Sequence, residues 1–183
     1  SLADLFHDDV PDEYIARVWA VMALAPQHTF QVLTKRHGRM KALLNSDTFQ
    51  RQVGDAIHGF VATGKPDRAW YASWPLPNVW LGVTVEDQQH ADLRIPALLV
   101  TPAAVRFLSC EPLLGPVVIS SALQTVRSDG QPCTGIDWVI AGGESGRDAR
   151  PMHPDWARAL RDQCQATGVP FLFKQRGEWT WSE

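Results

Sequence analysis

The chain has 183 residues, 45% of them hydrophobic and 20% charged, which supplies one globular α/β domain spanning 1–183 with a core of its own. A net charge of −3 excludes a basic field that would draw the chain to nucleic acid or to an anionic membrane by charge alone. No apolar run approaches the ~20 residues of a membrane-spanning helix, and Ser1-Leu2-Ala3-Asp4 does not read as a signal peptide.

Residues Ser1 to Phe6 look like the tail end of an element, with Asp4, His7, Asp8 and Asp9 crowded in before any complete element has formed. Asp12 then reads as the cap of a helix from Glu13 to about Ala25, with Ile15, Val18, Trp19 and Met22 on one face and Pro26 as its stop. Thr29 to Thr34 reads as a strand that runs into Lys35 and Arg36. Helices are expected over Gly38 to Leu44 and Asp47 to Val61, then a long Pro-, Gly- and Trp-rich loop from Thr63 to Pro77. Asn78 to Val83 is the next strand, ending in Thr84, Glu86 and Asp87. Gln88 to Val100 is helical in pattern, with an expected interruption before Pro96. Ala104 to Ser109 is a strand leading to Cys110, Glu111 and Pro112, followed by an irregular piece to Leu123 and a polar turn or hairpin from Arg127 to Gly135. Ile136 to Ala141 is a buried strand stopped by Gly142-Gly143, with Glu144, Ser145, Arg147, Asp148 and Arg150 behind it. Pro154 opens a helix to about Thr167 with Ala157, Leu160 and Cys164 on one face, and Gly168 closes it. Val169 to Phe173 is the last strand, ending in Lys174, Gln175 and Arg176.

Strand, polar end and helix alternate along the chain, and the strands are near-continuously apolar. That combination implies a parallel sheet with crossover helices, covered on both faces. An open sheet and a partial (β/α) barrel both fit. Neither G-x-G-x-x-G nor G-x-x-x-x-G-K-[ST] occurs, which argues against dinucleotide-binding and P-loop folds. Cys110, Cys133 and Cys164 are odd in number and widely spaced, so neither a disulfide framework nor a C-x-x-C site is expected; the implied setting is reducing and cytoplasmic. Most of the eight Trp residues read as core or loop packing.

In such folds chemistry sits in the loops leaving the carboxyl ends of the strands. If every strand is parallel, one rim collects Asp4, His7, Asp8, Lys35, Arg36, Thr84, Glu86, Glu111, Glu144, Ser145, Arg147, Arg150, Lys174 and Gln175. Glu111 and Glu144 are the leading candidates, able to bind a metal, act as acid and base, or hold a ligand's hydroxyls or ammonium. Lys35 and Lys174 suit an anionic group, and Gly142-Gly143 suits close approach of a ligand to the backbone. Singly, each has a plainer role as a cap, a turn former or a solvated charge, and Glu144 can simply pair with Arg150.

Several long stretches are familiar: DLFHDDVP, TFQVLTKR, NVWLGVTVEDQ, RFLSCEPLLGP, IDWVIAGGESGRDARPMHPDWARALRDQC and VPFLFKQRGEW. Together they resemble a phage and prophage family labelled by phage gene products 37 and 68, over essentially the whole chain. That family is similar in turn to radical SAM proteins. The resemblance implies an incomplete TIM-like (β/α) barrel of about five to six strands, beginning inside its second strand. It also implies an N-terminal segment, absent from this sequence, whose three cysteines end in C-x-x-C-Y-A and hold a [4Fe–4S] cluster that binds S-adenosylmethionine. The three cysteines present lack that spacing, so no cofactor is expected for this chain alone. On that reading Glu86, Glu111, Gly142, Gly143, Glu144 and Ser145 face the cofactor, and Lys35, Arg36, Arg150 and Lys174 the substrate, with no resident metal. These roles follow from position on the rim. A barrel without its first unit leaves a strand edge at Ser1 to Phe6, so self-association or a partner protein is expected, without a membrane. A nucleic-acid substrate stays open because the rim has basic residues. Two other readings fit the same residues: a metal-dependent hydrolase using Asp8, Glu111 and Glu144, and a non-catalytic module docking through Trp70 to Trp74.

Overall fold

The computed structural model describes residues 4–61, 74–123 and 135–179. Five strands form one all-parallel sheet in chain order: β1 (Phe30–Thr34), β2 (Val79–Thr84), β3 (Val105–Cys110), β4 (Trp138–Gly142) and β5 (Phe171–Gln175). Helix α1 (Asp12–Leu24) precedes β1, α2 (His37–Leu44) and α3 (Asp47–Phe60) join β1 to β2, α4 (Gln88–Leu99) joins β2 to β3, and α5 (Pro154–Thr167) joins β4 to β5. This is the α/β order that a partial (β/α) barrel requires.

The chain divides into two compact units. The first comprises the described parts of Ser1–Leu81 with Val100–Val105. There α1 lies on α3, and the buried Trp19 meets Phe6 and Phe49 edge-on at centroid distances of 5.7 and 6.1 Å. Asn78 closes the end of α1 by donating to the Met22 and Ala25 carbonyls at 3.0 and 3.2 Å. Ser46 caps α3 by accepting from the Phe49 amide.

The second unit comprises Gly82–Leu99 and the described parts of Arg106–Glu183. Its strands β3 and β4 pair in parallel register, Phe107 with Trp138 through Cys110 with Ala141. Strand β4 pairs with β5 from Val139–Phe171 to Ala141–Phe173, and the register shifts at Gly142. Helix α5 buries Ala157, Leu160 and Cys164, as the 3.6-residue period requires. It ends on Gly168 at φ 73°, a left-handed conformation that favours glycine. The piece after β3 is held by two amides. Gln88 exchanges hydrogen bonds with the backbone of Val118, while Gln163 accepts from Ile119 N and donates to Val117 O.

Three expectations change. Asp12 is the first residue of α1 and caps nothing, because Pro11 holds the cap position and the Asp12 carboxylate pairs with Arg39. Helix α4 runs unbroken through Pro96, since Ile95, Ala97 and Leu98 are buried around it and packing outweighs the missing N–H. Residues 4–6 form no strand; Asp4 instead accepts from Thr34 Oγ1 at 2.6 Å and from Lys35 N at 2.8 Å, closing the end of β1. The edge strand expected there is therefore not present among the described residues, and the sheet edges are β1 and β5. Residues 113–123 are irregular, with turns, as expected. Trp70, the body of the Trp-rich loop, Cys133 and most of the expected 127–135 hairpin lie outside the described residues.

Candidate functional site

Strands β2, β3, β4 and β5 all end on one side of the second unit, and each is followed within two residues by a charged side chain. The loops behind them are tied together by backbone bonds: Leu114 N to Glu86 O at 2.7 Å, Leu113 N to Gly142 O at 2.9 Å, and Gly143 N to Gln175 O at 3.0 Å.

Glu86 is 6% exposed and faces Arg94, itself 8% exposed. Arg94 Nη1 donates to Glu86 Oε2 at 2.7 Å, to Thr84 Oγ1 at 2.6 Å and to the Thr84 carbonyl at 3.0 Å. This is a buried ion pair joining β2 to α4. Next to it Asp87 accepts the His90 amide at 2.9 Å and lies 2.8 Å from His90 Nδ1. The backbone bond from His90 holds the Asp87 carboxyl below its ordinary value of 3.8.

Glu111 is partly buried. It accepts from Ser109 Oγ at 3.2 Å and pairs with Lys174 of β5 at 3.2 Å. Glu144 is gripped by Arg150 through two parallel bonds of 2.8 Å, from Nε and Nη2, and also accepts the Arg150 amide at 2.9 Å. That grip raises the already high pKa of Arg150, and the Glu86 carboxylate adds to the effect. Glu86 and Glu111 also contribute to the raised pKa of the Cys110 thiol, after burial, its main cause. Glu86, Glu111 and Glu144 thus lie within electrostatic reach of shared neighbours on one rim, and each has a cationic partner. Gln175 donates to Ser145 Oγ at 2.7 Å and to the Gly143 carbonyl at 3.2 Å, which fixes the start of the 143–150 loop.

Gly142 and Gly143 have reasons of their own to be glycine. A Cβ on Gly142 would stand 2.8 Å from Glu111 Oε1, and one on Gly143 would meet the backbone of Arg176 and Gly177. The space that a side chain would need is filled by the chain itself.

Lys35 and Arg36 belong to the first unit, at the end of β1. The Lys35 amide is held by Asp4, and Arg36 pairs with Asp8 at 3.3 Å. His153 caps α5, its Nδ1 accepting from the Asp155 amide at 3.2 Å. Among the described residues no group of three or more His, Cys, Asp or Glu side chains comes together to hold a metal.

Over residues 1–183 the sequence matches the family described as "Protein of unknown function (DUF5131)". The chain belongs to DUF5131. No curated protein and no solved structure matches it.

In this DUF5131 chain the partners that sequence reasoning missed are Arg94, His90, Arg39 and the capping role of Asp87. Arg39 gathers the 7–12 turn by donating to the carbonyls of His7 and Val10 and to Asp12. The one available signal for Arg94 was its spacing, which puts it about two helical turns beyond Glu86 in the element that follows. Asp87 yields a pH prediction. Its folded pKa is depressed, so its stabilisation is fully present above the ordinary value near 3.8 and is lost as pH falls through the lower folded value. Unfolding measured by circular dichroism should show the wild type losing stability more steeply below pH 4 than Asp87→Asn, which keeps the cap acceptor without the charge. At pH 7 Asp87→Ala should cost about 1 kcal/mol, as loss of a helix cap does.

Proposed function

We propose that this chain is the barrel portion of a radical SAM-like enzyme of phage or prophage origin, inactive alone and completed by a cysteine-bearing segment. The observation that carries the reading is the rim of the second unit. There the ends of neighbouring parallel strands present Glu86, Glu111 and Glu144 together with Arg150 and Lys174. The carboxylates of Glu111 and Glu144 suit ammonium and ribose hydroxyl groups, and Arg150 and Lys174 suit a carboxylate, so these side chains fit S-adenosylmethionine. The cluster does not fit. Burial pushes the Cys164 thiol up to about 11 and the Cys110 thiol higher still, so neither is disposed to serve as a thiolate ligand. The cluster's ligands on this reading come from outside the described residues.

Equilibrium dialysis with labelled S-adenosylmethionine tests the reading directly. Weak saturable binding is expected, reduced at least tenfold by Glu111→Gln combined with Glu144→Gln. Absence of binding to a folded wild-type chain would sink it. Reading the DNA upstream of the Ser1 codon is an independent check, with an in-frame run encoding three clustered cysteines as the expected result. Self-association through a sheet edge belongs to the same proposal. Strand β5 is a sheet edge with none of its five residues buried, and Leu172 and Phe173 are 45% and 42% exposed. A sedimentation coefficient that does not change with concentration removes this part.

A further inference from the structure

Arg94 uses its guanidinium unevenly. Nη1 alone serves three acceptors, Thr84 O, Thr84 Oγ1 and Glu86 Oε2, while Nε and Nη2 have no acceptor among the described residues. A guanidinium carries five N–H donors in a planar fork, so three of them are unused here. Those donors are not sealed in protein. Among the described residues the side-chain nitrogens and oxygens that are both closed off from solvent and without a partner are His37 Nδ1 and Trp74 Nε1. The Nε/Nη2 edge therefore touches solvent although the residue is only 8% exposed. A buried arginine with a second open edge is unusual, because a desolvated N–H without an acceptor is costly and solvent reaches this one poorly.

We propose that the Nε/Nη2 edge of Arg94 is a receptor for a ligand carboxylate, taken in a bidentate fork. The chemistry favours a flat, singly charged acceptor of two oxygens, which matches the fork in geometry. Charge limits it further. Glu86 offsets the Arg94 charge on the Nη1 side, and Asp87 stands beside His90, so little net positive charge is left at the fork to hold a second negative charge, and a monoanion is favoured over a dianion. The site differs from the Glu111–Lys174 and Glu144–Arg150 pairs, and it does not depend on S-adenosylmethionine being the ligand of the rim.

The test follows the Arg94 Nε–H resonance of the full chain by NMR during titration with sodium acetate, with sodium chloride as the ionic-strength control. Arg106, whose Nε already donates to the Leu98 carbonyl at 3.3 Å, is an internal reference. A saturable shift of the Arg94 signal with acetate, absent with chloride and absent at Arg106, is the expected result. No shift, or a linear drift shared with Arg106, would overturn the proposal. Glu86→Gln removes the competing negative charge and keeps an oxygen acceptor, so it should move the acetate midpoint at least threefold lower. An unchanged or higher midpoint in that folded variant would also overturn it. The wild-type titration decides the question by itself if the variant does not fold.

Discussion

Replacing Glu86 with Ala should destabilise the chain by about 3–5 kcal/mol, the range found when one partner of a buried ion pair is removed. The Arg94 guanidinium would then be left charged, 8% exposed and without its carboxylate. The effect should be far larger than for the exposed Arg161–Asp162 or Arg158–Asp155 pairs, where screening leaves about 0–1 kcal/mol. Arg94→Met alone should cost a similar amount, because Glu86 would be stranded and the Thr84 hydroxyl and carbonyl would lose their donor. Glu86→Leu with Arg94→Met should recover most of the loss, since an apolar pair of similar volume often replaces a buried ion pair at little cost. Recovery should stay incomplete because Thr84 still lacks a donor. Urea unfolding of the wild type, both single variants and the double variant closes the cycle. Additive losses would show that the two side chains act independently and that the pair does not organise the end of β2.

That pair also marks where the sequence stopped being informative. Strands with near-continuous apolar runs, such as Val79–Thr84, were legible because burial on both faces leaves a compositional trace. So were α5 and its closing glycine, where period, Pro154 and Gly168 agree. The parallel α/β order followed from alternation alone. Partnerships leave no such trace. Arg94 reads as a surface residue on a helix, since arginine is seldom buried unless paired, and pairing is a three-dimensional fact. Pro96 reads as a break because local propensity says so, whereas the buried Ile95, Ala97 and Leu98 settle it the other way. Glu144 and Arg150 were identifiable as possible partners because they are six residues apart in one loop. Lys174 and Glu111 were not, since only the stacking of β3, β4 and β5 brings them together. The Gly142-Gly143 pair stood out as a place where a ligand could approach the backbone closely, yet the atoms that approach it in the structure are the chain's own, Glu111 at Gly142 and Arg176 with Gly177 at Gly143.

Room for neighbours makes Gly143 the most sensitive position on the rim. A methyl group on Gly143 would stand 2.6 Å from the carbonyl carbon of Arg176 and 2.9 Å from the amide nitrogen of Gly177, both backbone atoms. Backbone cannot swing aside as a side-chain end can, so the segment after β5 would have to move. That movement would strain Gly143 N to Gln175 O and Glu178 N to Glu144 O, two backbone bonds that tie this segment to the 143–144 turn. Gly143→Ala should therefore cost about 3 kcal/mol, at the upper end of ordinary overpacking. Gly142→Ala meets the Glu111 carboxylate at 2.8 Å, a side-chain end able to rotate, and should cost about half as much. The function-sensitive measurement should reverse that order of reading. Gly142→Ala displaces Glu111 from Lys174 while leaving the backbone in place, so it should weaken ligand binding at the rim out of proportion to its small loss of stability. If Gly142→Ala binds S-adenosylmethionine as the wild type does, Glu111 is a structural anchor for β5 and the ligand-contacting part of the rim narrows to Glu144, Ser145 and Arg150.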